Sequence, residues 1–96
     1  MTEHVLSPRA LADIEQIWTY TAERWDSEQA DRYVRLLRQG IEAIARDPRR
    51  GRSCDDIRVG YRKYAVGSHI LFFRMLEGRV YVVRILHQRM DFERHL

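Results

Sequence analysis

Apolar residues recur at two different spacings along the chain, and the change of spacing divides it into a helical half and a strand half. From Leu11 to Ile44 apolar side chains return every three or four residues, which is the period of one face of an α-helix. From Ile57 onward they alternate or run continuously, which indicates β-strands. The pattern therefore predicts an α+β fold in one domain that spans residues 1–96.

The first predicted helix begins at Ser7 and Pro8. Ser7 can accept a hydrogen bond as the N-cap, and Pro8 occupies a position where its missing N–H costs nothing. Asp13 is expected to face solvent, away from the apolar stripe. That stripe consists of Leu11, Ile14, Trp18, Ala22 and Trp25.

A second helix is predicted to begin at Asp26, which with Gln29 resembles a capping box. It ends before Pro48, because proline disfavours helix at the preceding residue. Gly40 lies inside it, and its missing side chain would let the first helix approach closely. The short connection predicts an antiparallel hairpin of two helices. The second stripe consists of Ala30, Tyr33, Val34, Leu37, Ile41 and Ile44.

The strand half predicts a three-stranded antiparallel meander over residues 57–66, 69–76 and 79–87, with the first strand bent at Gly60. The last two strands are apolar on both faces, so they are expected in the centre of the sheet. Residues 4–6 predict a short N-terminal edge strand. The helices should cover one face of the sheet and leave the other open and partly polar. Residues 48–56 are interpreted as a solvated loop, or alternatively as a basic lip over a binding surface.

Composition limits the classes of protein and of partner. The chain carries 17 Lys and Arg against 14 Asp and Glu, and Lys63 is the only lysine, which favours an acidic partner or nucleic acid. No apolar run is long enough to cross a membrane and no signal peptide begins the chain, so a cytoplasmic location is expected. Cys54 has no cysteine to pair with, and the histidines lack the spacing of a metal site. No cofactor motif is present.

Candidate chemistry is concentrated on the predicted strands. Arg62, Arg74 and Arg84 with His87 resemble a phosphate clamp and a general base, which suffice in principle for metal-free RNA cleavage. Alternatively the arginines pair with carboxylates and His87 caps a strand end. A two-residue loop at Glu77 would place Arg74 opposite Tyr81 and Arg84 on the other face, whereas a three-residue loop would put both arginines on one face. The sequence leaves both registers open.

Short motifs in a fixed order cover nearly the whole chain, and together they resemble the ParE toxin family of the RelE/ParE superfamily. They are Leu6-Ser7 with Ile17-Trp18, Trp25 with Gln29-Ala30, Pro48 with Gly51-Arg52, Gly60-Tyr61-Arg62-Lys63, Gly67 with Phe72-Phe73-Arg74, and Val82-Val83-Arg84-Ile85-Leu86-His87 with Met90-Asp91.

The resemblance implies the toxin of a type II toxin–antitoxin system, of the kind associated with growth inhibition and plasmid stabilisation. It implies a toxin that poisons DNA gyrase, is neutralised by a ParD-like antitoxin, is not an enzyme, and neither binds a cofactor nor reads a DNA sequence itself. The alternative is the related RelE-type branch, which shares the fold and cleaves mRNA on the ribosome. The nuclease would use Arg62, Arg74, Arg84 and His87.

Two surfaces follow from the resemblance. An acidic antitoxin segment is expected along the helical hairpin and the sheet edge, and the C-terminal arm is expected to contact the target. The antitoxin-binding candidates are Trp18, Tyr33, Leu37, Arg62 and Arg74. The target-binding candidates are Arg84, His87, Met90, Phe92 and His95.

Overall fold

The computed structural model describes residues 4–96 and contains the predicted helical hairpin and meander. In chain order its elements are β1 (His4–Leu6), α1 (Pro8–Arg24), α2 (Ser27–Arg46), a single 3₁₀ turn (Pro48–Arg50), β2 (Arg52–Ser53), β3 (Arg62–Val66), β4 (His69–Leu76), β5 (Arg79–His87) and α3 (Phe92–His95). The predicted α+β fold, with a short first strand, is confirmed. No helix within residues 4–96 is long and apolar enough to cross a membrane.

The sheet has five strands in the order β1-β5-β4-β3-β2. β1 lies at one edge and runs parallel to β5, and the other neighbours are antiparallel. β4 and β5 are interior strands, as their apolar faces predicted. β2 was not predicted, because its two residues lie in a segment interpreted as loop or basic lip; Arg52 pairs with Lys63 there.

β3 corresponds to the first strand of the predicted meander; it is shorter than predicted and begins at Arg62. The Ile57 N–H donates to the carbonyl of Cys54 (2.9 Å) and closes a turn. Gly60 has φ +85° and donates its N–H to the Asp55 carboxylate (2.8 Å). These turns fold residues 54–61 into a loop, so the apolar residues in this segment do not form a strand.

Both predicted helix starts are confirmed by their caps. The Ala10 N–H donates to Ser7 Oγ (2.9 Å), and the Gln29 N–H donates to the Asp26 carboxylate (2.7 Å). The stripe of α1 is only partly right. Its buried residues are Ala10, Asp13 and Ile14, whereas Leu11, Trp18 and Trp25 are exposed. The face of α1 that packs on the sheet is narrow. It includes the carboxylate of Asp13, which the hydrophobic pattern had predicted to face solvent.

The predicted stripe of α2 is largely confirmed, since Leu37, Ile41 and Ile44 are fully or almost fully buried. The role expected of Gly40 is wrong. A Cβ at this position would lie 2.5 Å from Val66 Cγ2, so the missing side chain permits close approach of the sheet and not of α1.

Apolar residues are buried on both faces of the sheet, which corrects the expectation of one open face. We call the cluster under α1 and α2 the helix-side core; it includes Leu37, Phe73 and Val82. We call the smaller one the second-face cluster; its buried members are Cys54, Tyr61, Phe72 and Leu86. The loop 54–61 and α3 cover this second cluster, and burial raises the pKa of the Cys54 thiol.

Candidate functional site

The turn between β4 and β5 fixes the register that the sequence left open. Glu77 and Gly78 form a two-residue loop with φ values of +52° and +77°, and Arg74 pairs with Tyr81. The register then shifts by one residue, because Phe73 pairs with Val82 whereas Phe72 pairs with Arg84. Such a bulge cannot be deduced from the length of the loop.

The Arg84 side chain forms a buried ion pair with Asp13 of α1. Its Nε and NH2 groups donate to the two carboxylate oxygens at 2.8 and 2.9 Å, and the two side chains are 15 % and 8 % exposed. The hydrogen bonds that Arg84 donates to the Asp13 carboxylate raise the pKa of the Arg84 guanidinium. The alternative in which an arginine pairs with a carboxylate is thus the one that the structure shows for Arg84. Sequence reasoning missed Asp13 because a lone carboxylate on an amphipathic helix is usually solvated.

Two further hydrogen bonds extend this ion pair to other elements. The backbone N–H of Ile85 donates to Asp13 at 2.9 Å, which satisfies a donor on β5 beyond the end of β1. The NH1 group of Arg84 donates to the carbonyl of His95 at 3.1 Å. Arg84 therefore connects α1, β5 and α3.

A groove of about 440 Å³ runs between the helical hairpin and the C-terminal end of β5. Trp25 and Tyr20 lie at its rim and are 69 % and 64 % exposed. Exposed aromatic side chains beside a concave surface are typical of protein interfaces. Other groove residues are Tyr33, His69, His87 and Met90.

The floor of the groove contains a hydrogen-bonded tyrosine and histidine. The Ser68 N–H donates to the Tyr33 hydroxyl oxygen (3.0 Å), and that hydroxyl forms a hydrogen bond with Nδ1 of His69 (2.6 Å). Burial, together with the nearby His87, lowers the pKa of His69 to about 4, so its ring is neutral at pH 7. The rings of His69 and His87 meet edge to face with centroids 5.3 Å apart.

The four residues suggested for RNA cleavage do not converge on one point. Arg62 pairs with Phe73 on the helix side and donates to the carbonyl of Gly51 (3.1 Å). Arg74 is exposed on the other face, with its guanidinium 6.0 Å from the centre of the Tyr61 ring.

His87 pairs with His69, which is five residues from Arg74 along β4, or about 17 Å at the rise of a strand. Arg84 is already bound to Asp13. No single phosphate can contact all of these groups.

The antitoxin-binding candidates lie in different places. Trp18 is 36 % exposed and donates from Nε1 to Asp31 (2.8 Å), and Tyr33 lies in the groove. Leu37 is 0 % exposed and offers no surface to a partner. Arg62 is half-buried, and Arg74 forms no ion pair with any residue of the described range 4–96.

The target-binding candidates near the C-terminus divide into packing residues and surface residues. Phe92 packs on Phe72 with ring centroids 4.9 Å apart, and His95 is half-buried and accepts from Arg84. Met90 is 37 % exposed, and His87 lines the groove. In the described part of the chain, no three His, Cys, Asp or Glu side chains are close enough together to hold a metal ion.

This arrangement of a helical hairpin on a mixed sheet defines a small RelE/ParE-like toxin fold. The chain aligns with one titled "Chromosomal ParDE TA system from P. aeruginosa" at a TM-score of 0.80 over 91 % of this chain and 96 % of the other; the sequences are 17 % identical, so this likeness shows the fold alone. The family model described as "ParE toxin of type II toxin-antitoxin system, parDE" matches residues 5–92.

Sequence relatives agree with the family match. The chain is 51 % identical to Toxin ParE1 of Mycobacterium tuberculosis over 99 % of this chain and 98 % of the relative. It is 46 % identical to Toxin ParE1 of Caulobacter vibrioides over 100 % and 99 %, and 33 % identical to Toxin ParE of Escherichia coli over 95 % and 89 %. The chain therefore belongs to the ParE toxin family of type II toxin–antitoxin systems.

Proposed function

We propose that this ParE toxin inhibits DNA gyrase in the cytoplasm, thereby blocks replication, and is neutralised by a ParD-like antitoxin. The observation that carries the proposal is the match to the ParE family over residues 5–92, together with relatives that align over nearly their whole length. The scattered positions of Arg62, Arg74, Arg84 and His87 favour inhibition by binding over cleavage of RNA.

The antitoxin surface that we propose is the groove and the adjoining face of α1. Trp25 and Tyr20 present aromatic area at its rim, and Tyr33 lies in its floor. A partner segment that filled the groove would bury these rings, which supplies affinity in proportion to the apolar area removed from water. Arg74, exposed and stacked on Tyr61, is available for an acidic group of the same partner.

The gyrase-directed surface that we propose is the C-terminal arm, residues 87–96. Met90 is exposed there, and His87 lies beside it at the groove. Phe92 and Arg84 act indirectly in this proposal. Phe92 packs α3 on the sheet, and Arg84 holds α3 through a hydrogen bond to its backbone.

The proposal is tested with purified gyrase and relaxed plasmid DNA. We expect the chain to block supercoiling and to cause linear, gyrase-linked DNA to accumulate. Normal supercoiling at high concentrations of folded protein would refute the gyrase assignment, and cleavage of mRNA in a ribosome assay would then establish the RelE-type alternative.

The antitoxin surface is tested by co-purification with the cognate antitoxin. Trp25→Glu should weaken the complex by at least about thirtyfold, as truncation of a hot-spot tryptophan at an interface costs 2 kcal/mol or more. Leu36→Glu is the matched control, since Leu36 is 43 % exposed on α2 and does not line the groove. Equal binding by both variants would place the antitoxin elsewhere.

A further inference from the structure

The C-terminal helix α3 is too short to be stable by itself. It has four residues, and its N-cap residue Asp91 makes no side-chain capping hydrogen bond. An isolated helix of one turn does not form in water, because nucleation is unfavourable. Its conformation must therefore come from contacts with the rest of the molecule.

Two contacts hold α3, and they differ in kind. Phe92 and Leu96 pack in the second-face cluster, which is an apolar and non-directional contact. The second contact is a hydrogen bond, since NH1 of Arg84 donates to the carbonyl of His95 at 3.1 Å. That carbonyl belongs to the last turn of a helix, where carbonyls lack a partner within the helix. Arg84 therefore satisfies one acceptor and fixes the rotation of α3 on the sheet.

Arg84 can act in this way because it is itself rigidly held. Asp13 accepts two of its hydrogen bonds in a bidentate arrangement, and the Ile85 N–H fixes Asp13 in turn. Charge-assisted bidentate pairs are strong and geometrically specific. Since the Arg84 side chain is only 15 % exposed, another protein has little direct access to its guanidinium group.

We propose that Arg84 is a positioning residue for the target-binding surface of this toxin, acting through α3. The Asp13–Arg84 pair locks α3 in one orientation, so that Met90, Glu93 and Arg94 are presented outward together. The part of this proposal that concerns the target rests on the proposed inhibition of gyrase. The part that concerns the lock stands on the geometry alone.

The variant that tests the lock is Arg84→Lys. It keeps the positive charge beside Asp13, but a single ammonium cannot reproduce the planar fork that reaches both Asp13 and the carbonyl of His95. We expect the amides of Arg94 and Leu96 to exchange hydrogen at least about tenfold faster, as loss of a hydrogen bond to a charged group predicts. Core amides on β4 should exchange as in the unmodified chain. The control variant is Arg38→Lys, which makes the same substitution at an exposed arginine of α2.

A functional measurement accompanies the exchange experiment. The concentration of Arg84→Lys that inhibits gyrase by half should rise at least about tenfold, whereas the core amides on β4 should exchange as in the unmodified chain. A residue that only stabilised the fold would speed exchange in the core as well as in α3. If Arg84→Lys does not fold, Asp13→Asn replaces it, because it removes the charge of the partner and preserves its shape.

Unchanged exchange at Arg94 and Leu96 in Arg84→Lys would overturn the lock. Faster exchange with undiminished inhibition would overturn its role in positioning the target surface. If the unmodified chain does not inhibit gyrase at all, the proposed function fails and the positioning role fails with it, while the exchange measurement still decides whether the lock exists.

Discussion

The two faces of the sheet are stabilised in different ways. The helix-side core is covered by two long, capped helices, and Leu37, Ile44 and Phe73 in it are completely buried. The second-face cluster has four buried residues under a loop and a single helical turn. Most of the stability therefore comes from the helix side, and the second face, with its C-terminal cover, is the region that a partner can most easily rearrange.

The largest effect on this comparison is expected from a cavity on the helix side. Leu37→Ala should lower the free energy of unfolding by about 2 to 5 kcal/mol, because the side chain is 0 % exposed and its neighbours relax only partly. Urea unfolding measures the change. Leu36→Ala is the matched control on the same helix, at 43 % exposed, and should cost less than about 1 kcal/mol. Similar losses for the two variants would contradict the described packing of α2.

A smaller loss is expected from the second face. Phe92→Ala should cost about 1 to 3 kcal/mol, below the range for a fully buried phenylalanine, because Phe92 is only half-buried against Phe72. Thermal unfolding gives the value, with the exposed Arg94→Ala as control. A loss equal to that of Leu37→Ala would show that the two faces contribute alike.

The pH dependence of stability should reveal the half-buried His69 of the groove. The pKa of His69 is lowered to about 4 by burial and by His87, whereas an unfolded histidine titrates near 6.5. Between these pKa values the unfolded chain binds a proton that the folded chain does not, so protonation favours unfolding. The contribution of the neutral His69 ring to the free energy of unfolding is therefore complete above pH 6.5 and is lost as the pH falls toward 4.

Solvent screening limits this contribution to about 1 to 2 kcal/mol, since the ring is partly exposed. Denaturant unfolding at pH 7 and pH 4.5 measures it, and the same pair of experiments on His69→Gln removes the titrating group. The charges that face His69 are those of His87 and Asp13. An equal loss in both proteins would assign the pH dependence to other groups.

The smallest effect on stability is expected at Arg74. Its guanidinium lies over the exposed side of the second face, so Arg74→Ala should change the free energy of unfolding by less than about 1 kcal/mol. Arg84→Ala should cost several times more, because it leaves the buried carboxylate of Asp13 without a partner. Comparable losses in urea unfolding would contradict the different environments of these two strand arginines.

The same contrast between faces explains what the sequence could predict. The caps at Ser7 and Asp26 and the stripe of α2 are local signals, and both helices form where these signals indicate. The burial of Asp13 depends on its pairing with Arg84, which is 71 residues away along the chain. No periodicity of α1 contains that information.

The second face was harder to predict because backbone turns build much of its cover. The loop 54–61 has strand-like apolar residues, yet Gly60 and Asp55 close it into turns. The bulge that brings Arg84 opposite Phe72 is likewise a one-residue event. Candidate binding residues named from the resemblance were therefore scattered among core, ion pair and surface.

The most direct test of the account compares two exposed methionines in the gyrase supercoiling assay. Met90 is 37 % exposed at the C-terminal arm, and Met75 is 43 % exposed near the β4–β5 turn. We predict that the unmodified chain and Met75→Glu inhibit gyrase alike, and that Met90→Glu needs at least about tenfold more protein, as expected when a charge enters an apolar contact. Equal inhibition by both variants, or none by the unmodified chain, would contradict the account.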